Sequence, residues 1–191
     1  MDEFTVRAYE TRAQTAWRWH IQARDFIGAA NHLVEWYAPV MESRTEVGYE
    51  YPPVTFFVPI MVLLAIASEN MLKGLLVAQG RVAVSDGSLI RGFGHHKQLN
   101  FATDAGMALS PDEEILLDRL RQFVESGKYP IGRKAGEGHG AQQFVYPDDL
   151  DATWNWLQRL EDALFAQAGA PLSPVDIRRL GRGPKPSSVG E

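Results

Sequence analysis

The sequence predicts an all-α protein, an up-and-down bundle of about five helices. Apolar residues recur at the spacing of one helix face, several segments begin at helix caps and end at glycines, and no run alternates strongly enough to favour a sheet. The chain has 191 residues, of which 45% are hydrophobic and 23% charged, which is enough for one core but short for two domains. We therefore expect a single helical-bundle domain over residues 1–180 and a disordered tail, rich in glycine and proline, over 181–191.

Two long helices are predicted in the first half of the chain. Apolar side chains at helical spacing indicate the first over about residues 12–40, and Pro39 with the polar segment 42–48 is expected to end it, because proline lacks a backbone donor. The second, over about 54–79, is apolar nearly all round in its first half, so we expect it at the centre of the core. Gly80 is placed to stop it.

Three shorter helices complete the predicted bundle. A loop with a Ser-Asp-Gly turn signal precedes the first of them, over about 96–106. The next, over 111–126, begins at a serine cap followed by a proline and by a carboxylate that can reach back to the cap. The last runs over about 148–168 behind an aspartate cap, and a short helix over 174–180 is a further candidate. In the helix over 111–126 the expected inward side chains are Ile115, Leu116, Leu120, Phe123 and Val124.

Composition excludes several kinds of site. The formal net charge is −5 and the pI about 5.6, so we expect any RNA contact to be confined to one face. There is no cysteine, and the five histidines are too scattered for a metal site. The N-terminus lacks a secretory signal, and the longest apolar stretch, roughly fourteen residues, is short for a membrane span. We therefore expect a cytoplasmic protein with no membrane contact, no metal and no cofactor.

A polar cluster on the second long helix is the main candidate site. Glu69 and Lys73 lie one turn apart, beside Asn70, and His95 and His96 follow the glycine loop, so His96 reaches the pair if the loop folds back. A carboxylate beside an imidazole can tune a general base near neutral pH, so a catalytic interpretation is chemically allowed. The alternative is that these groups satisfy one another's hydrogen bonds where helices meet.

A series of short motifs surrounds this cluster. In chain order they are Glu69-x-x-x-Lys73-x-x-Leu76, a glycine loop, His96, Ala105-Gly106-x-x-Leu109-Ser110-x-x-Glu113, Leu120 and Lys128-Tyr129-Pro130. This order resembles HEPN-like proteins of bacteria, including relatives of abortive-infection components, over residues 54–131. The resemblance implies a helical fold and a homodimer more than a reaction, in a defence or toxin–antitoxin setting. Where that family usually has arginine before Tyr-Pro, this chain has Lys128, which lacks the planar fork needed for bidentate contact.

Ribonuclease members of the HEPN group carry an arginine followed, after four to six residues, by a histidine on a core helix. Arg91 with His96 meets that spacing, and so does Arg133 with His139. Both pairs lie in glycine-rich loops rather than on a predicted helix, so the spacing is weak support for that activity. The catalytic candidates are His96 and Arg91.

A second candidate site is the glycine-rich loop over residues 127–147. Its backbone amides and the cations Arg133, Lys134 and His139 could bind a phosphate or a nucleotide, although the phosphate-loop fingerprint is absent. A solvated loop is the alternative, and the sequence leaves open whether 131–146 is ordered. A further group of aromatic and basic residues lies at helical spacing in the first long helix. Such spacing is more typical of packing in the core or at a dimer interface than of a platform on which bases stack. The group consists of Trp17, Trp19, His20 and Arg24.

Three functional hypotheses remain. The first is a HEPN-like dimer without catalysis, which binds a nucleotide, RNA or a cognate protein partner in a polar cleft formed by Glu69, Lys73, His96, Lys128, Tyr129 and Arg133. The second is a metal-independent ribonuclease, with His96 or His95 as the base and Arg91 stabilising phosphate charge. The third is a helical module whose only task is dimerisation. The sequence favours the first, and whether the chain is an enzyme stays open.

Overall fold

The structure is a computed structural model that describes residues 3–45, 54–126 and 148–168. Its helices, in chain order, are α1 (Glu3–Ala13), α2 (Ala16–Thr45), α3 (Val54–Ala78), α4 (Gln98–Asp104), α5 (Pro111–Ser126) and α6 (Asp148–Ala168). Two short strands, β1 (Val84–Ser85) and β2 (Ser88–Leu89), form an antiparallel hairpin between α3 and α4. This mostly helical structure confirms the predicted all-α class. The described residues form six helices rather than about five.

Helix α3 occupies the centre of the fold, as its apolar sequence predicts. Helices α2, α4, α5 and α6 all pack against it, and nearly every side chain from Leu64 to Val77 is buried. A helix that is apolar around most of its circumference must be covered on all sides to bury that surface. The largest fully buried side chains come from α3 and its neighbours: Ile27, Met61, Leu64, Met71, Leu72, Phe101, Leu117, Leu120, Phe123, Trp156, Leu157 and Leu160.

By length and composition alone, α3 could cross a membrane. The segment Phe57–Ala78 has a mean hydropathy of 1.8 in its most apolar window, and 83% of that window is buried inside the bundle. The central helix of a bundle meets the same criteria of length and composition, because its side chains are also shielded from water.

The first predicted helix, over about residues 12–40, corresponds to α2, and α1 before it was not predicted. Helix α1 ends at Ala13 and α2 begins at Ala16, because side chains take over carbonyls at the junction. The Thr15 hydroxyl donates to the Thr11 carbonyl at 2.6 Å, and the Trp19 indole donates to the Ala13 carbonyl at 2.8 Å. Such bonds satisfy the last carbonyls of a helix and compete with its continuation.

Helix α2 runs through Pro39 to Thr45, so Pro39 does not end it, whereas its last residue lies within the polar segment 42–48 that was also expected to end it. A proline inside a helix removes one backbone hydrogen bond and costs about 3 kcal/mol. Helix α2 packs against α3 more extensively than any other two described elements pack together.

Local turn and cap signals are confirmed at three places. Gly80 follows the end of α3 with a φ of +85°, and Asp86 and Gly87 form the hairpin turn with φ of 52° and 72°, the signs that a type I′ turn requires. At the start of α5, the Ser110 amide donates to Glu113 Oε2 at 2.8 Å and the Glu113 amide donates to Ser110 Oγ at 3.2 Å. This reciprocal pair is the predicted capping box.

The inner face of α5 agrees with the prediction except at one position. Ile115 is 52% exposed, whereas Leu117 is fully buried. The buried stripe is centred between Leu116 and Leu120, and Ile115 lies beyond its edge. Helix α6 (Asp148–Ala168) has the bounds predicted for it, about 148–168. The loop over 127–147, the candidate helix over 174–180 and the tail over 181–191 lie outside the described residues.

Candidate functional site

The predicted polar cluster forms where the segment 91–97 returns to α3. Helix α3 carries Glu69 and Lys73 one turn apart, and the start of α4 brings His96 beside them. His96 Nδ1 lies 2.8 Å from Glu69 Oε2, and Lys73 Nζ donates to Glu69 Oε1 at 2.6 Å. Three of the residues predicted from the sequence therefore belong to one hydrogen-bonded group.

Glu69 and Lys73 form a buried ion pair, with 7% and 6% of their surface exposed. Buried charges are costly unless they are paired and hydrogen-bonded, and here each carboxylate oxygen has its own partner. The Lys73 ammonium also lies 5.6 Å from the Trp19 ring centroid and 5.4 Å from the Phe101 ring centroid, where the ring faces stabilise a cation. The spacing of Glu69 and Lys73 along α3 predicted their pairing. The two rings belong to α2 and α4, and nothing in the sequence near Lys73 indicates that they pack against it.

His96 is the part of the cluster that reaches solvent. Its side chain is 36% exposed, against 9% for the side chain of Glu69. Since Nδ1 faces the carboxylate, Nε2 is the nitrogen left for a ligand, and it has no hydrogen-bond partner among the described residues. A carboxylate on one ring nitrogen fixes the orientation of the imidazole and the role of the other nitrogen.

The neighbouring His95 has a different environment. Its ring stacks on Phe101, with centroids 4.7 Å apart and planes 13° from parallel, and the backbone N–H of Lys97 donates to its Nδ1 at 3.2 Å. Burial, together with the positive charges of Lys97 and Lys73, lowers the pKa of His95 below the ordinary value of 6.5. His95 is therefore neutral at pH 7, with its proton on Nε2.

The segment 91–97 carries two exposed cations. Besides the two histidines it contains Arg91 and Lys97, both exposed, and no acidic residue. Within the part of the chain that the structure describes, Arg91 makes no ion pair or side-chain hydrogen bond. Arg91 and His96 lie on turns between β2 and α4, whereas the histidine motif of HEPN ribonucleases lies on a core helix.

The other predicted ligand-binding residues cannot be placed relative to this cluster. Lys128, Tyr129 and Arg133 fall in 127–147, outside the described residues. The described side of the predicted cleft consists of α3, the segment 91–97 and the start of α4.

A second buried pair joins α2 to α6. His20 Nε2 lies 2.6 Å from Glu161 Oε1, and the two residues are 2% and 0% exposed. Trp17 stacks on the His20 ring at 4.5 Å, and an Arg24 guanidinium nitrogen lies 3.6 Å from the same carboxylate oxygen. These contacts fit the core-packing interpretation of Trp17, His20 and Arg24. No spacing rule could have found Glu161, because it lies 141 positions from His20.

An open groove of about 350 Å³ lies between α5 and α6, apart from the polar cluster. Two of its charged groups are already paired, because Arg159 donates to Glu113 and to the Ala108 carbonyl. Trp156 lines the groove, but its indole N–H donates to Ser68 in the core. The groove therefore offers few free polar groups to a ligand.

Comparison of the chain with protein-family models, with curated proteins and with solved structures gave no match. The HEPN resemblance therefore rests on the motifs of the chain itself and stays a prediction. Among the described residues, no group of three or more His, Asp or Glu side chains is placed to hold a metal ion.

Proposed function

We propose that this chain is a HEPN-like helical-bundle protein that binds a phosphate-bearing ligand, a nucleotide or RNA, at the segment 91–97. One observation carries the proposal: Glu69 fixes His96 through Nδ1, and Nε2 has no partner among the described residues. An imidazole held in this way offers one defined nitrogen to a ligand. When protonated, that nitrogen donates a charge-assisted hydrogen bond to a phosphate oxygen.

Charge favours an anion at this surface. The chain has a net charge of −5, yet the segment 91–97 contains the exposed cations Arg91 and Lys97 and no carboxylate of its own, which favours a local positive potential. The exposed Arg91 guanidinium can pair with a phosphate through two parallel hydrogen bonds. Lys128, Tyr129 and Arg133 belong to the proposed cleft on the strength of the sequence.

Ring stacking favours a nucleotide over a bare phosphate ion. The neutral His95 ring is already parallel to Phe101, and His95 directly precedes His96 in the chain. A nucleobase can add to such a stack, and base–aromatic stacking contributes about 1–3 kcal/mol per base. The expected ligand therefore combines a phosphate and a base.

Binding assays on the full chain with a labelled single-stranded RNA and with nucleoside monophosphates test this proposal. Arg91→Ala removes an exposed cation from the segment, and Arg81→Ala removes an exposed cation just before the hairpin, as a matched control. We expect Arg91→Ala and His96→Ala to weaken binding by roughly tenfold or more, as the loss of a charged hydrogen bond does, and Arg81→Ala to leave it unchanged. Affinity should also fall as salt rises.

The outcomes separate the ligands and the hypotheses. Binding of RNA without binding of the monophosphates identifies RNA as the ligand, and the converse identifies a nucleotide. Equal losses in the two arginine variants, or no binding of either ligand by the unchanged protein, contradict the proposal. The purely structural hypothesis predicts that the unchanged protein binds neither ligand. Under that hypothesis, Glu69→Ala and His96→Ala lower only the midpoint of thermal unfolding.

The same pairing favours a second candidate, a metal-independent ribonuclease. The Glu69 carboxylate orients His96 as a dyad partner orients a general base, so Nε2 could accept a proton from an RNA 2′-hydroxyl while Arg91 stabilises phosphate charge. Structured RNA is incubated with the purified chain in excess chelator, beside His96→Ala and Arg91→Ala. Cleavage that both substitutions abolish supports this candidate, whereas intact RNA, or cleavage that persists in both variants, contradicts it.

A further inference from the structure

A buried hydrogen-bond network links three helices directly behind the candidate site. Gln98, the first residue of α4, donates through Nε2 to the Ala65 carbonyl of α3 at 3.0 Å. The Ser68 hydroxyl of α3 donates to Gln98 Oε1 at 2.7 Å, and the Trp156 indole of α6 donates to Ser68 Oγ at 2.9 Å. Gln98 and Ser68 are fully buried, and Trp156 is 2% exposed.

This network joins the same two segments of the chain as the contact between Glu69 and His96. Ser68 directly precedes Glu69 on α3, and Gln98 follows His96 by two residues. The backbone N–H of Gln98 also donates to the His96 carbonyl at 3.0 Å. The chain around His96 is therefore attached to α3 at two adjacent points, one through Glu69 and His96 and one through Ser68 and Gln98.

Besides these two attachments, this end of the segment is held by the His95 ring, which stacks on Phe101 with centroids 4.7 Å apart. Among the described residues, Lys97 at the N-terminus of α4 makes no side-chain capping bond. A Cβ at Gly92 would meet no atom within 4 Å, so the preceding turn is loosely packed there. Phe93 is buried and anchors the middle of the segment, and Gln98 is a buried polar residue two positions after His96 in the chain.

We infer that Gln98, with Ser68 and Trp156 behind it, is a positioning residue that fixes the His96 imidazole against Glu69. Side chains that present a functional group must be held by the packing and hydrogen bonds behind them, and small displacements lose function. The effect on the His96 ring follows from the geometry alone. The effect on ligand binding rests on the proposed function.

The test replaces Gln98 by methionine, which has a similar length but can neither donate nor accept as the amide does. Gln79→Met is the matched control, because Gln79 also joins α3 to the α4 region, through a hydrogen bond from Nε2 to the Ala105 carbonyl at 2.9 Å. Ring ¹H–¹⁵N spectra report which nitrogen of His96 carries the proton, and circular dichroism reports the fold. RNA and nucleotide affinities are measured on the same samples.

We expect Gln98→Met to keep the helical spectrum but to change the His96 ring signals, because Nδ1 is no longer held against Glu69, and to weaken ligand binding by roughly tenfold. Gln79→Met should leave both unchanged. Unaltered His96 signals in a folded Gln98→Met chain overturn the inference, and so does an equal change in Gln79→Met. A changed ring in a protein that binds neither RNA nor nucleotide supports the inference and contradicts the proposed function.

A milder variant keeps the test decisive if Gln98→Met does not fold. Trp156→Phe removes only the indole donor to Ser68 and retains an aromatic ring in the core. We expect a smaller change of the His96 ring signals in the same direction. His96 signals identical to those of the unchanged protein would overturn the inference.

Discussion

At the scale of single residues, Glu69 is the group on which the candidate site depends. Its two oxygens hold Lys73 and His96, and it lies almost fully out of solvent. Replacing the carboxylate by a neutral group would leave the Lys73 ammonium in a low-dielectric environment without a counter-charge. The cost of such an orphaned charge usually exceeds the net contribution of the intact pair.

Glu69→Leu should therefore lower the free energy of unfolding by about 3–5 kcal/mol, measured by urea denaturation. The double variant Glu69→Leu/Lys73→Met should recover most of this loss, because it removes both charges and retains apolar volume. Arg7→Ala is the control: it breaks a pair of the same helical spacing, with an N–O distance of 2.6 Å, whose side chains are 77% and 79% exposed. It should change stability little. A double variant as unstable as Glu69→Leu would contradict this account.

His95 gives a pH dependence whose direction follows from its pKa. Burial and the nearby lysines lower the pKa of His95 in the folded chain below 6.5, so between the two values the unfolded chain binds the extra proton. Its contribution to stability is complete above pH 6.5 and is lost as pH falls from 6.5 to the folded pKa. Urea denaturation across this range should show that loss, and His95→Phe, which keeps a ring against Phe101, should reduce it. An NMR titration midpoint for His95 above 6.5 would contradict the prediction.

At the scale of elements, the hairpin connects α1 to the site segment. The Gly87 amide donates to Glu10 Oε1 at 2.9 Å, and the Ala83 amide donates to Gln14 Oε1 at 3.3 Å. Glu10 of α1 and Gln14, in the turn just after it, thus hold the hairpin that leads into residues 91–97. The conformation of its turn therefore affects where the segment begins.

Gly87→Ala should destabilise the chain, because Gly87 has a φ of +72° and a Cβ there would lie 3.3 Å from Val6 Cγ1. A left-handed backbone with a side chain costs about 1 kcal/mol or more. Gly92→Ala is the matched control, since its Cβ would meet open space, and it should be neutral or stabilise by about 0.4–1 kcal/mol. The measurement is the midpoint of thermal unfolding, which should be lower for Gly87→Ala than for Gly92→Ala. Equal midpoints would contradict the role given to the turn.

The elements also divide what sequence could predict from what it could not. The limits of α3, α5 and α6 follow from periodicity and from caps such as the one at Ser110, which act within a few residues. The break before Ala16 involves neither glycine nor proline, so no breaker marks it. The contact between Trp156 and Ser68 spans 88 positions, and it depends on how α6 is rotated against α3, which periodicity does not specify. The rings around Lys73 were missed for the same reason.

At the scale of the whole molecule, the bundle places its polar groups in two classes. Those between helices, such as His20 with Glu161 and Ser68 with Gln98, are buried and bonded to one another. His96 differs, because it joins a buried carboxylate to solvent. This arrangement separates the candidate site from the polar contacts that serve packing.

The outer face of α2 gives the homodimer prediction its test. Ile21 and Trp36 are 42% and 63% exposed on this helix, and tryptophan is enriched at the centres of protein interfaces. We expect light scattering at micromolar concentration to give twice the chain mass of 21.3 kDa, and Trp36→Glu to shift it toward the monomer. Phe4→Glu, at an 83% exposed position on α1, should leave the dimer intact. A monomeric mass for the unchanged protein would contradict the homodimer prediction. Equal dissociation by both substitutions would show that α2 is not the dimer interface.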